Sequence, residues 1–376
     1  MKIILAGGGS GGHFYPLIAV TEAIRDFAAD QKILQPKIYY IAPSPYNAGI
    51  LFDMEIEYIK IHCGARVRRY FSLKNIYDIF LTVWGFVEAF FKVFFIFPDV
   101  IFSKGGLMSL PVVYAGRILR IPVVIHEGDS YPGRANLKAG KFARNVAVSF
   151  AEAGVFFDEK KVAHTGNPLR KEILIPATSG AREYLGLEAD TPVLFIMGGS
   201  LGAETINNVV MDTLPRLVEK FEIIHQTGKL NFNDVKNESS TILENSTFKK
   251  RYHCFDYLNP LAIRMAAGVA SIVISRGGST IFEIAAWGIP SILIPISDSN
   301  GDHQRKNSYN YARSGAAFVI EENNLTPEIL EVELNDILNN KERFERMKQG
   351  ALSFAKPDAA KKVAEVILNI ALSHEK

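Results

Sequence analysis

Short, nearly continuous apolar runs alternate along the chain with longer stretches in which apolar positions recur every three to four residues. The runs fall at 2–6, 37–42, 99–102, 122–125 and 145–149, then again at 192–197, 221–226, 271–274 and 291–295. A run without polar alternation is a strand covered on both faces, and helices between such strands make βαβ units with parallel sheets. A polar stretch, 165–190, holding Pro168, Pro176, Gly180 and Gly186, separates the two series. The pattern predicts an α/β protein of two Rossmann-like, doubly wound parallel-sheet domains facing across a cleft. The boundaries expected are 1–168, 169–354 and 355–376. The last is a helix that follows the Lys356-Pro357 break and packs back on the first domain.

One segment departs from this rhythm. Residues 71–102 hold nine of the 25 phenylalanines. Asn75, Asp78, Thr82, Gly85, Glu88 and Lys92 recur there at helical spacing, drawing a narrow polar stripe along a mostly apolar helix. Asp78, Glu88 and Lys92 interrupt the windows that a membrane span needs, which argues against spanning. Two readings stay open: a core helix, or a helix that lies on a membrane surface. Arg66, Arg68, Arg69 and Lys74 precede it as a basic collar suited to anionic lipid.

Composition narrows the class. A length of 376 residues suits two domains, and 48% hydrophobic content is ample for two cores. A net charge of +2 lacks the basicity of a nucleic-acid binder. Cys63 and Cys254 stand far apart, so neither a disulfide framework nor a zinc site is expected, and a reducing compartment fits. Glycines from Gly7 onward cut the first apolar run too early for a secretion signal.

The candidate chemistry lies in glycine loops. Gly7-Gly8-Gly9-Ser10-Gly11-Gly12-His13 follows the first strand and opens a helix, satisfying G-x-G-x-x-G. A nicotinamide dinucleotide would need an acidic residue at the end of strand two, which instead reads Tyr40-Ile41-Ala42-Pro43. The second half repeats the device with Gly198-Gly199-Ser200-Leu201-Gly202-Ala203. A third loop, Ser275-Arg276-Gly277-Gly278-Ser279-Thr280, leads into a helix carrying Glu283. Backbone N–H groups at such helix starts hold a diphosphate without metal. Glu283 is placed either to accept both ribose hydroxyls of a nucleotide or simply to favour its helix start.

Six motifs occur in order: Gly8-Gly9-Ser10-Gly11-Gly12-His13, His126-Glu127, Gly166-Asn167-Pro168-Leu169-Arg170, the 198–203 loop, Arg276-Gly277-Gly278-Ser279-Thr280 with Glu283, and Asp302-x-Gln304. On these, over essentially its full length, the chain resembles the MurG family. Members are bacterial transferases that add GlcNAc to complete the lipid-linked disaccharide-pentapeptide of peptidoglycan. The resemblance implies a GT-B fold. It implies inverting transfer from UDP-GlcNAc to the 4-hydroxyl of MurNAc-pentapeptide on polyprenyl diphosphate, at the cytoplasmic face of the membrane. Donor contacts are implied at Ser10, Gly11 and Gly12, and diphosphate contacts at Arg170, Ser200, Gly278, Ser279 and Thr280. Glu283 is implied at the ribose, Gln304 at the sugar and the Tyr257–Leu258 backbone at uracil. Three departures stand out: Asp129 replaces an Asn, Arg305 replaces a second Gln, and Tyr131-Pro132-Gly133 matches loosely.

Inversion at the anomeric carbon needs a base for the acceptor hydroxyl and stabilisation of departing UDP. His13, directly after the first loop, is the candidate base, since a positive helix end keeps an imidazole neutral. Glu127 either assists it or serves as a structural acceptor. Asp129 either contacts substrate or is a solvated loop acid. Arg170 either clamps phosphate or makes a surface ion pair. No Asp-x-Asp stands at a strand end, so neither a metal nor another cofactor is expected. The competing readings are a UDP-GlcNAc 2-epimerase, a transferase to another glycolipid, and a non-catalytic scaffold of wall synthesis.

Overall fold

We describe the fold from a computed structural model, which covers residues 1–63, 73–199, 202–297 and 300–373. Two compact units result: Met1–Arg170 with Pro357–Lys376, and Lys171–Lys356. The first runs β1 (Lys2–Ala6), α1 (Gly11–Asp30), β2 (Lys37–Ala42), α2 (Ala48–Asp53), β3 (Glu57–Lys60), α3 (Leu73–Ile96) and β4 (Val100–Ser103). It continues with α4 (Leu110–Ile118), β5 (Val123–Glu127), α5 (Arg134–Gly140), β6 (Asn145–Val148) and β7 (Val162–His164). The second begins with α6 (Lys171–Leu174), α7 (Ala181–Leu185), β8 (Val193–Met197), α8 (Glu204–Lys220), β9 (Glu222–Gln226), α9 (Phe232–Ile242) and β10 (Tyr252–Phe255). Then come α10 (Pro260–Val269), β11 (Ala270–Ser275), α11 (Thr280–Trp287), β12 (Ser291–Leu293), α12 (His303–Ala312), β13 (Ala317–Val319), α13 (Pro327–Asn339) and α14 (Lys341–Phe354). A final helix, α15 (Ala359–Ser373), belongs to the first unit.

Every strand pairing is parallel, in the orders β3-β2-β1-β4-β5-β6-β7 and β10-β9-β8-β11-β12-β13. Side chains alternate across each sheet. Ile3 and Leu5 of β1 pack with α1 and with Val363, Ile367 and Leu368 of α15. Ile4 of β1 packs on the other face, with Ala89 and Val93 of α3 and Val112 of α4. In the second unit Leu194 and Ile196 face α8, while Val193 and Phe195 face α10 and Trp287. Burial on both faces explains why the central strands read as unbroken apolar runs.

Helix α3 is packed inside out. The region Tyr77–Ile96 is long and apolar enough to cross a membrane by length and composition, so its charges do not exclude spanning on composition alone. Its packing does. Ala89 and Val93 are buried in the unit's core. Glu88 accepts from the His62 N–H at 2.7 Å and meets the His62 ring at 2.9 Å, and the Lys92 ammonium donates to the Lys60 carbonyl. Gly85 lies so close to the His62 carbonyl that any side chain would collide with it. The polar stripe thus faces the protein. Tyr77, Phe80, Trp84, Val87, Phe91, Phe94 and Phe95, at helical spacing, face outward. Arg66, Arg68 and Arg69 lie outside the described residues, as does the side chain of Lys74.

In the second unit His225 is fully buried, its ring bonded to the Tyr252 hydroxyl at 2.9 Å and to Asn207 Oδ1 at 3.1 Å. Burial pushes it down to about 3. The unfolded chain therefore binds its proton first, near pH 6.5, so this contribution is complete above that pH and is lost as pH falls toward 3. We expect urea midpoints to fall between pH 7 and 5, with this residue contributing up to about 1.4 kcal/mol per pH unit. His225→Gln should flatten the curve; an unchanged slope would show that His225 titrates alike in both states.

Candidate functional site

In each sheet the strand order reverses at one point, between β1 and β4 and between β8 and β11. Ligands of open parallel sheets bind outside the carboxyl ends of the strands at such a point. All three glycine loops read from the sequence emerge there.

In the first unit the chain leaves β1 through Gly7, Gly8 and Gly9. Gly9 sits at φ 87°, which an L side chain rarely adopts. Ser10 is extended and precedes α1, with its Oγ 2.9 Å from His13 Nδ1. His13 Nε2 looks toward Gly106, where a Cβ would lie 3.7 Å away. Next to β1, the Lys104 N–H donates to the Ala6 carbonyl at 3.0 Å, extending the pairing one residue past β4. Lys104 is only 4% exposed.

At the end of β5 the Glu127 carboxylate accepts from the Asp129 N–H at 2.9 Å, the Gly133 N–H at 3.0 Å and the Asn136 amide at 2.9 Å. Asn136 also reaches the His126 carbonyl at 3.1 Å, and the His126 ring contacts the Gly166 carbonyl at 2.9 Å. The Arg170 guanidinium lies 4.1 Å over the Tyr15 ring and is 7% exposed, within the first unit. This is a buried setting, not a surface one. Tyr131 packs edge-on against Phe156.

Burial dominates the electrostatics. It pushes His13 down to about 4, Lys104 adds to that, and Asp129 opposes it. Lys104 is lowered by burial against the pull of Glu127 and Asp129. Glu127 is raised by burial and then by Asp129, with Lys104 opposing. His126 falls well below its ordinary value through burial and then Lys104. Among the described residues, no group of His, Cys, Asp and Glu converges as a metal site would require.

In the second unit the loop after β8 turns at Gly202, φ 87°, where a side chain would strike the Thr227 carbonyl and the Asn231 amide. Ser200 lies outside the described residues. The loop after β11 is anchored by Arg276, which donates to Glu322 at 2.6 Å and to the Ile294 carbonyl at 3.0 Å. Gly278 faces open space, Ser279 is exposed, and Thr280 opens α11 with half-buried Glu283 in its first turn. The Leu258 N–H donates to Gln226 Oε1 at 3.2 Å. Gln304 Oε1 accepts from the Ile296 N–H at 3.1 Å, which leaves its amide nitrogen to donate. Arg305 turns to Glu321 at 2.8 Å, which the Tyr309 hydroxyl also reaches.

Ser10, Gly11, Gly12, His13, Glu127, Asp129 and Arg170 thus belong to the first unit, and Leu258, Gly278, Ser279, Thr280, Glu283 and Gln304 to the second. Sequence reasoning missed the loop Lys104-Gly105-Gly106. Its signal was there: paired glycines directly after an apolar run, as in the other loops.

The two halves of the chain are those of a glycosyltransferase. Residues 3–148 match the glycosyltransferase family 28 N-terminal domain and residues 193–363 its C-terminal domain. A UDP-N-acetylglucosamine--N-acetylmuramyl-(pentapeptide) pyrophosphoryl-undecaprenol N-acetylglucosamine transferase of Bacillus thuringiensis is 38% identical over 347 residues, 91% of this chain and 93% of the relative. The Treponema denticola counterpart is 32% identical over 390 residues, covering 97% and 96%. The crystal structure of Acinetobacter baumannii MurG superposes with a TM-score of 0.72 at 24% identity, covering 98% and 99%. A UDP-GlcNAc 2-epimerase from Neisseria meningitidis shares the fold, with a TM-score of 0.66 at 14% identity, covering 98% and 100%. The chain belongs to the MurG family of glycosyltransferases, with a GT-B-like fold.

Proposed function

We propose that this enzyme transfers GlcNAc from UDP-GlcNAc, with inversion, to the MurNAc-pentapeptide of a polyprenyl-diphosphate acceptor. The observation that carries the mechanism is His13: an imidazole kept neutral by burial, with Nδ1 on Ser10 and Nε2 directed at the switch-point loop. With Ser10 Oγ accepting from Nδ1–H, Nε2 is left to accept the proton of the acceptor hydroxyl. The acceptor oxygen bonds to the anomeric carbon as the bond to UDP breaks, and UDP departs with the electron pair. The N–H groups that open α11, with Ser279 and Thr280, are suited to the phosphates of that leaving group. Glu283 holds the ribose, Gln304 donates to a sugar hydroxyl, and the Leu258 backbone lies along the uracil. Ser10, Gly11 and Gly12 are assigned to donor contact and Arg170 to a phosphate. The three acceptor bonds of Glu127 favour an organising role for it. The purified protein should move label from UDP-GlcNAc into extractable lipid acceptor. Formation of UDP-ManNAc without lipid label would favour an epimerase, and binding of neither substrate a scaffold.

The acceptor stays in the bilayer, and the outward aromatic face of α3 supports docking on the anionic cytoplasmic leaflet. A row Phe86–Tyr114–Phe142 leads from that helix to a cavity of about 230 Å³ lined by Arg117, Arg120 and Arg144. Each arginine near an anionic surface contributes roughly 1 kcal/mol. Phe91→Glu with Phe95→Glu should abolish flotation with phosphatidylglycerol vesicles, while Arg117→Glu with Arg144→Glu should weaken it, as high salt does. Turnover on a short-chain soluble acceptor should be spared. Undiminished flotation of the phenylalanine variant would remove α3 as the docking face.

A further inference from the structure

Lys104 is buried at the β1–β4 switch point, apart from the groups assigned to substrate. An ammonium withdrawn from water is costly unless opposite charge holds it, so its position calls for a counter-charge. The counter-charge is in the loop after β5. The Lys104 nitrogen lies so close to Gly128, the residue between Glu127 and Asp129 in the chain, that even a methyl group there would collide with it. Burial, the larger effect, lowers Lys104, while both carboxylates pull toward its charged form. The seat is rigid: Glu127 is held by three hydrogen bonds, and the Lys104 backbone is tied to Ala6.

On its other side this cluster acts on His13. The groups facing His13 are Ser10 on its own loop, Lys104 after β4 and Asp129 after β5. Those facing Lys104 are His13, His126, Glu127 and Asp129. Lys104 and Asp129 therefore push the imidazole in opposite directions.

We propose that Lys104 is a positioning residue of the transfer reaction: seated against Gly128, beside the loop that carries Glu127 and Asp129, it sets with these carboxylates the charge balance in which His13 takes up the acceptor's proton. The inference rests on His13 being the base. It also accounts for the departure at position 129. A carboxylate there supplies a second counter-charge for a buried lysine, which the neutral Asn of the resemblance would not. Before reaction Lys104 disfavours a charged imidazole. As the proton arrives, Asp129 stabilises the imidazolium.

The test is the pH profile of kcat/KM for the full-length enzyme on its two substrates, in wild type, Lys104→Met, Asp129→Asn and the double variant. Lys104→Met should lower kcat at least tenfold and move the acid limb toward neutral by on the order of one pH unit, the effect of losing a like charge in a buried site. Asp129→Asn should move the limb the opposite way, and the double variant should return it close to wild type. Lys104→Arg, which keeps the charge, should leave the limb in place while lowering kcat. A limb that stays fixed in Lys104→Met and Asp129→Asn, with only the melting temperature changed, overturns the proposal. Should Lys104→Met fail to fold, Asp129→Asn decides alone: an unmoved limb overturns it. His13→Gln separates the two levels. An acid limb that persists in that variant sinks His13 as base. A limb lost there but unmoved by the Lys104 and Asp129 variants sinks only the present inference.

Discussion

His13→Ala lowers kcat by roughly 10²–10⁴-fold while UDP-GlcNAc binding is nearly retained, the signature of a lost general base. The imidazole meets Ser10 Oγ at 2.9 Å within the first unit, while Glu283 and Gln304, assigned to ribose and sugar, belong to the second. The backbone bonds of this turn, from the His13 and Phe14 N–H groups to the Ser10 carbonyl, survive the substitution. Single-turnover transfer and isothermal titration with UDP read the two quantities separately. Equal losses in both would mean that His13 only shapes the loop.

Glu283→Ala raises the KM for UDP-GlcNAc by about 10- to 100-fold, with the fold intact. That loss corresponds to a net contribution of roughly 1.5–3 kcal/mol from its charge-assisted hydrogen bonding to the ribose. The carboxylate stands half-buried in the first turn of α11, directly after the loop that Arg276 anchors to Glu322 at 2.6 Å. Glu283→Gln should recover part of the affinity, because the amide keeps an acceptor. A melting temperature that collapses while the folded fraction keeps its affinity would instead assign Glu283 to the helix start.

How much of this was legible in the chain depends on how completely each element is buried. All nine apolar runs read from the sequence are strands of the two sheets. The four strands it did not reveal, β3, β7, β10 and β13, are the four sheet edges. Each has only three or four residues, and none carries a fully buried side chain. An edge strand is covered less and kept short, so the continuous apolar signature disappears. The glycine loops were legible because positive φ at Gly9 and Gly202 and the close approach of the Gln304 carbonyl at Gly277 require glycine in the sequence itself. Lys104 was not, since nothing in its neighbours announces that the loop carrying Glu127 and Asp129, some 25 positions later, will lie against it.

The segment 73–96 marks the limit most clearly. Its periodicity showed a helix with a polar stripe, and the ordinary expectation puts such a stripe in water. Tertiary structure reverses it, because the His62 backbone, the His62 ring and the Lys60 carbonyl offer the stripe its hydrogen-bond partners and leave the aromatic side uncovered. The sequence by itself determined what local pattern encodes: parallel strands buried on both faces, helices between them, glycine turns able to hold phosphate, and the family. Only the tertiary structure decided what long-range pairing encodes: which strands form the edges, which side of α3 faces outward, and which distant charges share one buried seat beside His13. Backbone conformation and amphipathic spacing act over a few residues, whereas charge compensation and face selection depend on groups brought together by the sheet order.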